Sequence, residues 1–97
     1  MVRKIIWSKK AEIDFQQTLD FFAVLNGNKT YSKNLSKEVK SILTIIVKNP
    51  FIGINFDNET RRVFIFGDYK IFYEVQPMSI KVLLVWNTRR NPEKITI

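Results

Sequence analysis

The dipeptide Gly67-Asp68 constrains this chain more than any other feature. It separates two runs of strand-forming residues, RRVFIF before it and YKIFYEV after it. Two residues with glycine first suit the tight turn of a β-hairpin, whose twist matches that of the flanking strands. A turn this short leaves one register: Phe66 opposes Tyr69, Phe64 opposes Ile71, and Arg62 opposes Tyr73. Successive side chains alternate across a strand. One face therefore collects Phe64, Phe66, Tyr69, Ile71, Tyr73 and Val75, and the other Arg61, Val63, Ile65, Lys70, Phe72 and Glu74. Pro77-Met78-Ser79 turns the chain again, and Ile80 to Asn87 reads as a further strand. Pairing Val75 with Ile80 adds Val82, Leu84 and Trp86 to the first face. Lys81, Leu83, Val85 and Asn87 join the second.

The first half of the chain reads differently. Val2 to Trp7 is a short strand. Ser8 follows as an N-cap, its hydroxyl able to accept an orphan amide of the next turn. From Lys9 to about Leu25, the apolar residues Ala11, Phe15, Leu19, Phe22 and Ala23 recur at helical spacing. Asn26-Gly27-Asn28 breaks that pattern. A second helix runs from about Lys29 to Lys48 on the stripe Tyr31, Leu35, Val39, Ile42, Leu43 and Ile46, and Asn49-Pro50 ends it. A short link between two helices makes an antiparallel hairpin. The order is β-αα-βββ in a single domain over residues 1–97. The class is α+β, an antiparallel sheet with the helical hairpin packed on its aromatic face.

That packing leaves the second sheet face with nothing to cover it beyond the short tail after Pro92. Its middle is an apolar stripe of Val63, Ile65, Phe72, Leu83 and Val85. Charge flanks the stripe: Arg61, Glu74 and Lys81 at one end, Lys70 with Asn87 and Arg89 at the other. An apolar patch rimmed by charge marks a partner surface. The Arg61–Glu74–Lys81 trio also has a plainer reading as ordinary cross-strand pairing. Arg90, the neighbour of Arg89, points elsewhere, to solvent or to a partner.

Charge narrows the partner. Sixteen Lys/Arg stand against nine Asp/Glu, for a net charge of +7. Such a balance suits nucleic acid, an anionic surface or an acidic protein, and also serves solubility alone. The second helix carries Lys29, Lys33, Lys37, Lys40 and Lys48 opposite its apolar stripe. That row is either a solvated face or an anion-facing one. The chain has no cysteine and no histidine. Disulfides and thiolate chemistry are excluded, and the commonest metal ligand and general base are missing. Neither a metal nor a cofactor is expected. No apolar run approaches the ~18 residues of a membrane span, and the N-terminus lacks the marks of a signal peptide. A cytoplasmic protein without membrane contact is the expectation.

The arrangement resembles the RelE/ParE superfamily of bacterial type II toxin–antitoxin toxins. The resemblance rests on IIWSKKAEIDF, KNPFIG, RRVFIFGDYKIFYEV and VLLVWNTRRNP, in that order and at that spacing. It implies a cytoplasmic toxin with a cognate antitoxin whose segment, commonly acidic, wraps the toxin and covers its open sheet face. Two activities occur in the superfamily. RelE-like members are ribosome-dependent mRNA endonucleases, which need a proton acceptor, cations for the phosphate and a donor for the leaving oxygen. ParE-like members bind and inhibit DNA gyrase. By resemblance, Lys70 matches a position usually arginine in the nucleases, and Arg89 a basic position of either group. Asn87 falls where many members have histidine. The available carboxylates are Glu59, in a loop, and Glu74. If the protein is a nuclease, Lys70, Arg89 and Arg61 are its candidate catalytic residues, acting with ribosome and mRNA. The ending VWNTRRNP looks ParE-like, which ranks gyrase first. The target- or antitoxin-binding set is then Arg61, Val63, Ile65, Lys70, Phe72, Lys81, Leu83, Val85, Asn87, Arg89 and Arg90.

Overall fold

Ser8 ends the first strand and starts the first helix in the computed structural model, which describes residues 2–58, 60–90 and 92–95. Its hydroxyl oxygen accepts a hydrogen bond from the Ala11 amide at 3.0 Å, satisfying one of the orphan donors of a helix start. Strand β1 (Lys4–Trp7) and helix α1 (Lys9–Asn26) flank it. Gly27 closes α1 in the left-handed region, at φ 70°, where a side chain would be strained. Helix α2 (Thr30–Lys48) then runs back along α1. The buried hydroxyl of Ser32 donates to the Leu19 carbonyl at 2.6 Å and ties the two helices together.

The strands that follow are β2 (Ile54–Asn55), β3 (Arg61–Phe66), β4 (Tyr69–Val75) and β5 (Ser79–Asn87), with a 3-10 turn over Pro92–Lys94. They form one five-stranded sheet in the order β1-β5-β4-β3-β2. The β-αα-βββ order is present, with β2 as an added two-residue strand. The sheet is mixed rather than wholly antiparallel, because β1 lies parallel to β5. A strand that enters a helix and returns beside a distant partner can meet it in that sense.

The β3–β4 register is the one that the Gly67-Asp68 turn dictates, with Phe66 on Tyr69, Phe64 on Ile71 and Arg62 on Tyr73. The β4–β5 register begins as expected, with Val75 on Ile80 and Tyr73 on Val82. It then slips, so that Phe72 faces Leu84, Ile71 faces Val85, Lys70 faces Trp86 and Tyr69 faces Asn87. Leu83 is the extra residue, and every β5 side chain beyond it changes face. Val85 therefore lies under the helices with Ile71 and Tyr73, and Leu84 and Trp86 lie on the opposite face with Phe72 and Leu83. This corrects the pure alternation expected for β5.

The main core joins the α2 stripe Leu35, Val39, Ile42, Leu43 and Ile46 to Ile71, Tyr73, Ile80, Val82 and Val85. Burying one such aliphatic side chain contributes about 1.5–3 kcal/mol, so this layer supplies most of the stability. α1 adds Ala11 and Phe15, the latter stacked on Trp7 at 5.3 Å.

One polar group organises the loop between α2 and β3. The Tyr73 hydroxyl donates to the Pro50 carbonyl at 2.8 Å and accepts from the Gly53 amide at 3.0 Å. A Cβ at Gly53 would stand 2.7 Å from the Val63 carbonyl oxygen and 2.8 Å from that hydroxyl, so the position needs glycine. Arg62 completes the fastening by donating to the Gly53 carbonyl at 2.7 Å and lying over the Phe51 ring.

Tyr73→Phe strands a buried amide. It is expected to cost ~1–3 kcal/mol in denaturant unfolding. Gly53→Ala, which collides with backbone, is expected to cost at least as much.

Candidate functional site

β5 leaves the sheet at a turn built by Asn87. The Asn87 side-chain oxygen accepts from the Arg89 amide at 2.9 Å, and the Arg90 amide donates to the Asn87 carbonyl at 3.0 Å. The Thr88 amide donates to the Asp68 carbonyl at 2.7 Å, which locks this turn onto the β3–β4 turn. The two turns thus lie side by side at one end of the sheet, facing α1.

Between them opens a cleft of about 670 Å³. α1 lines one wall with Asp14, Thr18, Phe21, Phe22 and Leu25, α2 contributes Tyr31, and the turns contribute Asp68, Asn87, Arg89 and Arg90. The wall is largely apolar and open: Phe21 and Leu25 are 60% and 65% exposed.

At the base, the Tyr31 and Tyr69 hydroxyls lie 2.7 Å apart, and the Asn87 amide donates to Tyr69 at 3.4 Å. Phe22 packs against the Tyr31 ring at 4.7 Å. Burial, and then the Tyr31 hydroxyl, push the Tyr69 phenol well above its ordinary pKa. The shift favours the protonated phenol, which leaves its hydroxyl a hydrogen-bonding group at the base of the cleft.

The two arginines have separate roles. Arg90 reaches Asp14 of α1 at 3.3 Å and lies 4.0 Å above the Trp86 ring, a cation–π contact that clamps the turn to the helix. Arg89 pairs with Asp68 at 3.5 Å, but its side chain is 81% exposed. An ion pair that open is worth ~0–1 kcal/mol, so its guanidinium remains available to a partner.

The residues expected at one end of the open sheet face are thereby redistributed. Lys70 stays on that face, opposite Trp86. Asn87 and Arg89 line the cleft on the helix side, away from Lys70. Val85 is buried beneath the helices. Phe72 and Leu83 do lie on the expected face, yet they are buried as well. Phe56 meets the Phe72 ring edge-on at 5.1 Å, and Ile95 of the tail packs on the same cluster. Arg90 is a structural clamp rather than a peripheral cation.

What stays uncovered on this face is smaller. Ile54, Phe56 and Ile65 are exposed, beside partly buried Val63. Arg61, Glu74 and Lys81 are in register next to it. Arg61 pairs with Asp57 at 3.0 Å and Glu74 at 3.5 Å, as cross-strand pairing predicts for Glu74. Glu59, the other carboxylate considered, lies outside the described residues. Among the described residues, no group of three His, Cys, Asp or Glu is placed to hold a metal. Among the described residues, no helix is long and apolar enough to cross a membrane.

Sequence reasoning missed the cleft because its apolar wall, Phe21 and Leu25, falls outside the helical stripe that marks the core. The unpaired apolar residues of α1 were the available signal.

Residues 5–92 match the family model of the ParE toxin of type II toxin-antitoxin systems, parDE. The chain belongs to that family. A solved structure of the chromosomal ParDE TA system from P. aeruginosa shares the fold, with a TM-score of 0.73 at 17% identity. The match covers 89% of this chain and 96% of that one. No curated protein sequence matches the chain.

Two measurements check the site's physics. Arg90→Ala is expected to lower stability by about 1 kcal/mol, and Arg89→Ala by less than ~0.5 kcal/mol, in paired denaturant titrations. The second concerns Tyr69. Below pH ~10 its phenol is protonated in both folded and unfolded chains. Above that, the unfolded chain loses the proton while folded Tyr69 keeps it, so stability falls as pH rises. Tyr69→Phe is expected to remove part of this alkaline loss in thermal melts. Tyr73, raised in the same direction by burial, accounts for a further share.

Proposed function

We propose that this chain is the growth-arresting toxin of a two-component module in the cytoplasm. It acts by binding DNA gyrase and is neutralised by a cognate antitoxin. The observation that carries binding over catalysis is the state of the cleft's polar groups. Asp14 and Asp68 each face an arginine, and Tyr69 keeps its proton. Arg89 is left presented beside an apolar wall. That combination, one exposed cation next to Phe21 and Leu25, suits recognition of a protein surface. Of the cations suggested for an mRNA-cleaving reaction on the ribosome, Lys70 and Arg61 belong to the open sheet face, where Arg61 is paired with Asp57 and Glu74, and Arg89 belongs to the cleft on the other side. This weakens the nuclease alternative.

The antitoxin is assigned to the remaining apolar patch of Ile54, Phe56 and Ile65. Arg61, Lys70 and Lys81 alongside it suit an acidic segment.

Purified protein is expected to block supercoiling by gyrase, and its induction alone to arrest bacterial growth. Arg89→Ala is expected to reduce both by tenfold or more while the fold melts unchanged. Ile65→Asp is expected to leave toxicity intact and to weaken rescue by the antitoxin. Normal supercoiling together with codon-positioned cuts in primer-extended mRNA would overturn the gyrase assignment.

A further inference from the structure

The outer face of α2 is unlike an ordinary solvated helix face. Lys29, Lys33, Lys37 and Lys40 follow one another at four-, four- and three-residue steps. They stand in one row about 17 Å long. All four are exposed. No carboxylate among the described residues lies within ion-pair distance of any of them. The single acid of α2, Glu38, sits off the row, and the first turn of the helix holds no acidic residue. Like charges at this spacing repel, and lysines in the first turn oppose the helix dipole. Asp20 of α1 shares a groove with Lys29 and Lys33 but accepts from Gln16 and forms no ion pair with either, so self-repulsion along the row is not offset by a direct ion pair.

We propose that this row grips the phosphate backbone of duplex DNA without reading its sequence. A duplex is a straight line of negative charge, one per ~1.7 Å of axis. A straight row of ammonium groups on a rigid helix complements it. Single strands call for aromatic platforms on which bases stack. The aromatic residue of α2, Tyr31, is turned toward Tyr69 at the cleft instead. An acidic peptide calls for a buried apolar anchor. The exposed aliphatic residue of α2, Ile45, lies off the row. Ser36 and Thr44, small hydroxyl residues, share the row and suit close approach to phosphates. The contact uses neither the cleft nor the apolar patch, and it requires no gyrase or antitoxin.

The test is fluorescence anisotropy of a labelled 20-bp duplex with the full chain between 50 and 200 mM NaCl. Four phosphate contacts predict a log–log salt slope near −3.6, about a 150-fold loss of affinity across that range. A variant with Lys33, Lys37 and Lys40 changed to Gln is expected to shrink the slope by about 2.7. Gln matches Lys in helix propensity, and an unchanged melting curve verifies folding. A charge-matched variant, with Lys4, Lys9 and Lys94 changed to Gln, is expected to keep most of the slope. Equal losses in both variants would make net charge, not the row, responsible and overturn the proposal. So would tighter binding of a single strand of the same length, or no duplex binding at 50 mM salt.

Discussion

The single extra residue in β5 governs what this molecule presents to its surroundings. The slip at Leu83 places Val85 in the helix-packed core and Trp86 on the other face. It brings Asn87 to the Tyr69 hydroxyl. From there the Asn87 turn can hold Arg89 over the cleft and Arg90 between Trp86 and Asp14. Under plain alternation, Asn87 would face away from Tyr69 and Trp86 would lie under the helices. The same residues would then build a different surface. A local irregularity of register thus sets the composition of two faces at once.

Charge is divided by residue type. The arginines are largely structural: Arg61 pairs with Asp57 and Glu74, Arg62 holds the Gly53 loop, and Arg90 joins a turn to a helix. Each uses a planar fork that can donate several directed bonds. Arg89 is the exception, being tied only at the surface. The lysines of α2 sit on the outside as compact, hydrated point charges. The net charge of +7 is therefore displayed mainly by groups that the fold does not use, which is where a long-range field attracts anionic partners.

Much of the architecture was legible in the chain because local rules agree with the tertiary result. The Gly67-Asp68 turn gave the β3–β4 register residue by residue, Ser8 marked the helix start, and the α2 stripe from Leu35 to Ile46 matched the buried residues, while Tyr31 at its start lines the cleft instead. The β5 pleat was hidden for a physical reason. Residues 82–86 read VLLVW, and an unbroken apolar run carries no alternation from which to place a bulge. β2 was too short to leave a pattern, and the parallel seat of β1 depends on contacts across the whole domain. The cleft was missed because Phe21 and Leu25 fall outside the helical stripe of α1 and so carry no periodic signal, and Arg90's role depends on a helix distant in the chain. The lysine row was visible, yet sequence alone could not tell whether acids elsewhere would neutralise it.

The parallel pairing of β1 with β5 has a consequence for how the protein is born. Arg3 bonds the carbonyl of Gln76, 73 positions along the chain, and β1 finds its partner only in the last strand. Contacts of such separation form late, because a long loop must close before they reward it. The helical hairpin can form early on the ribosome, but the sheet against which it packs cannot close until β5 has emerged. Arg89 and the cleft floor are then the last parts to be assembled, so the nascent chain carries its partly built core before it carries its site.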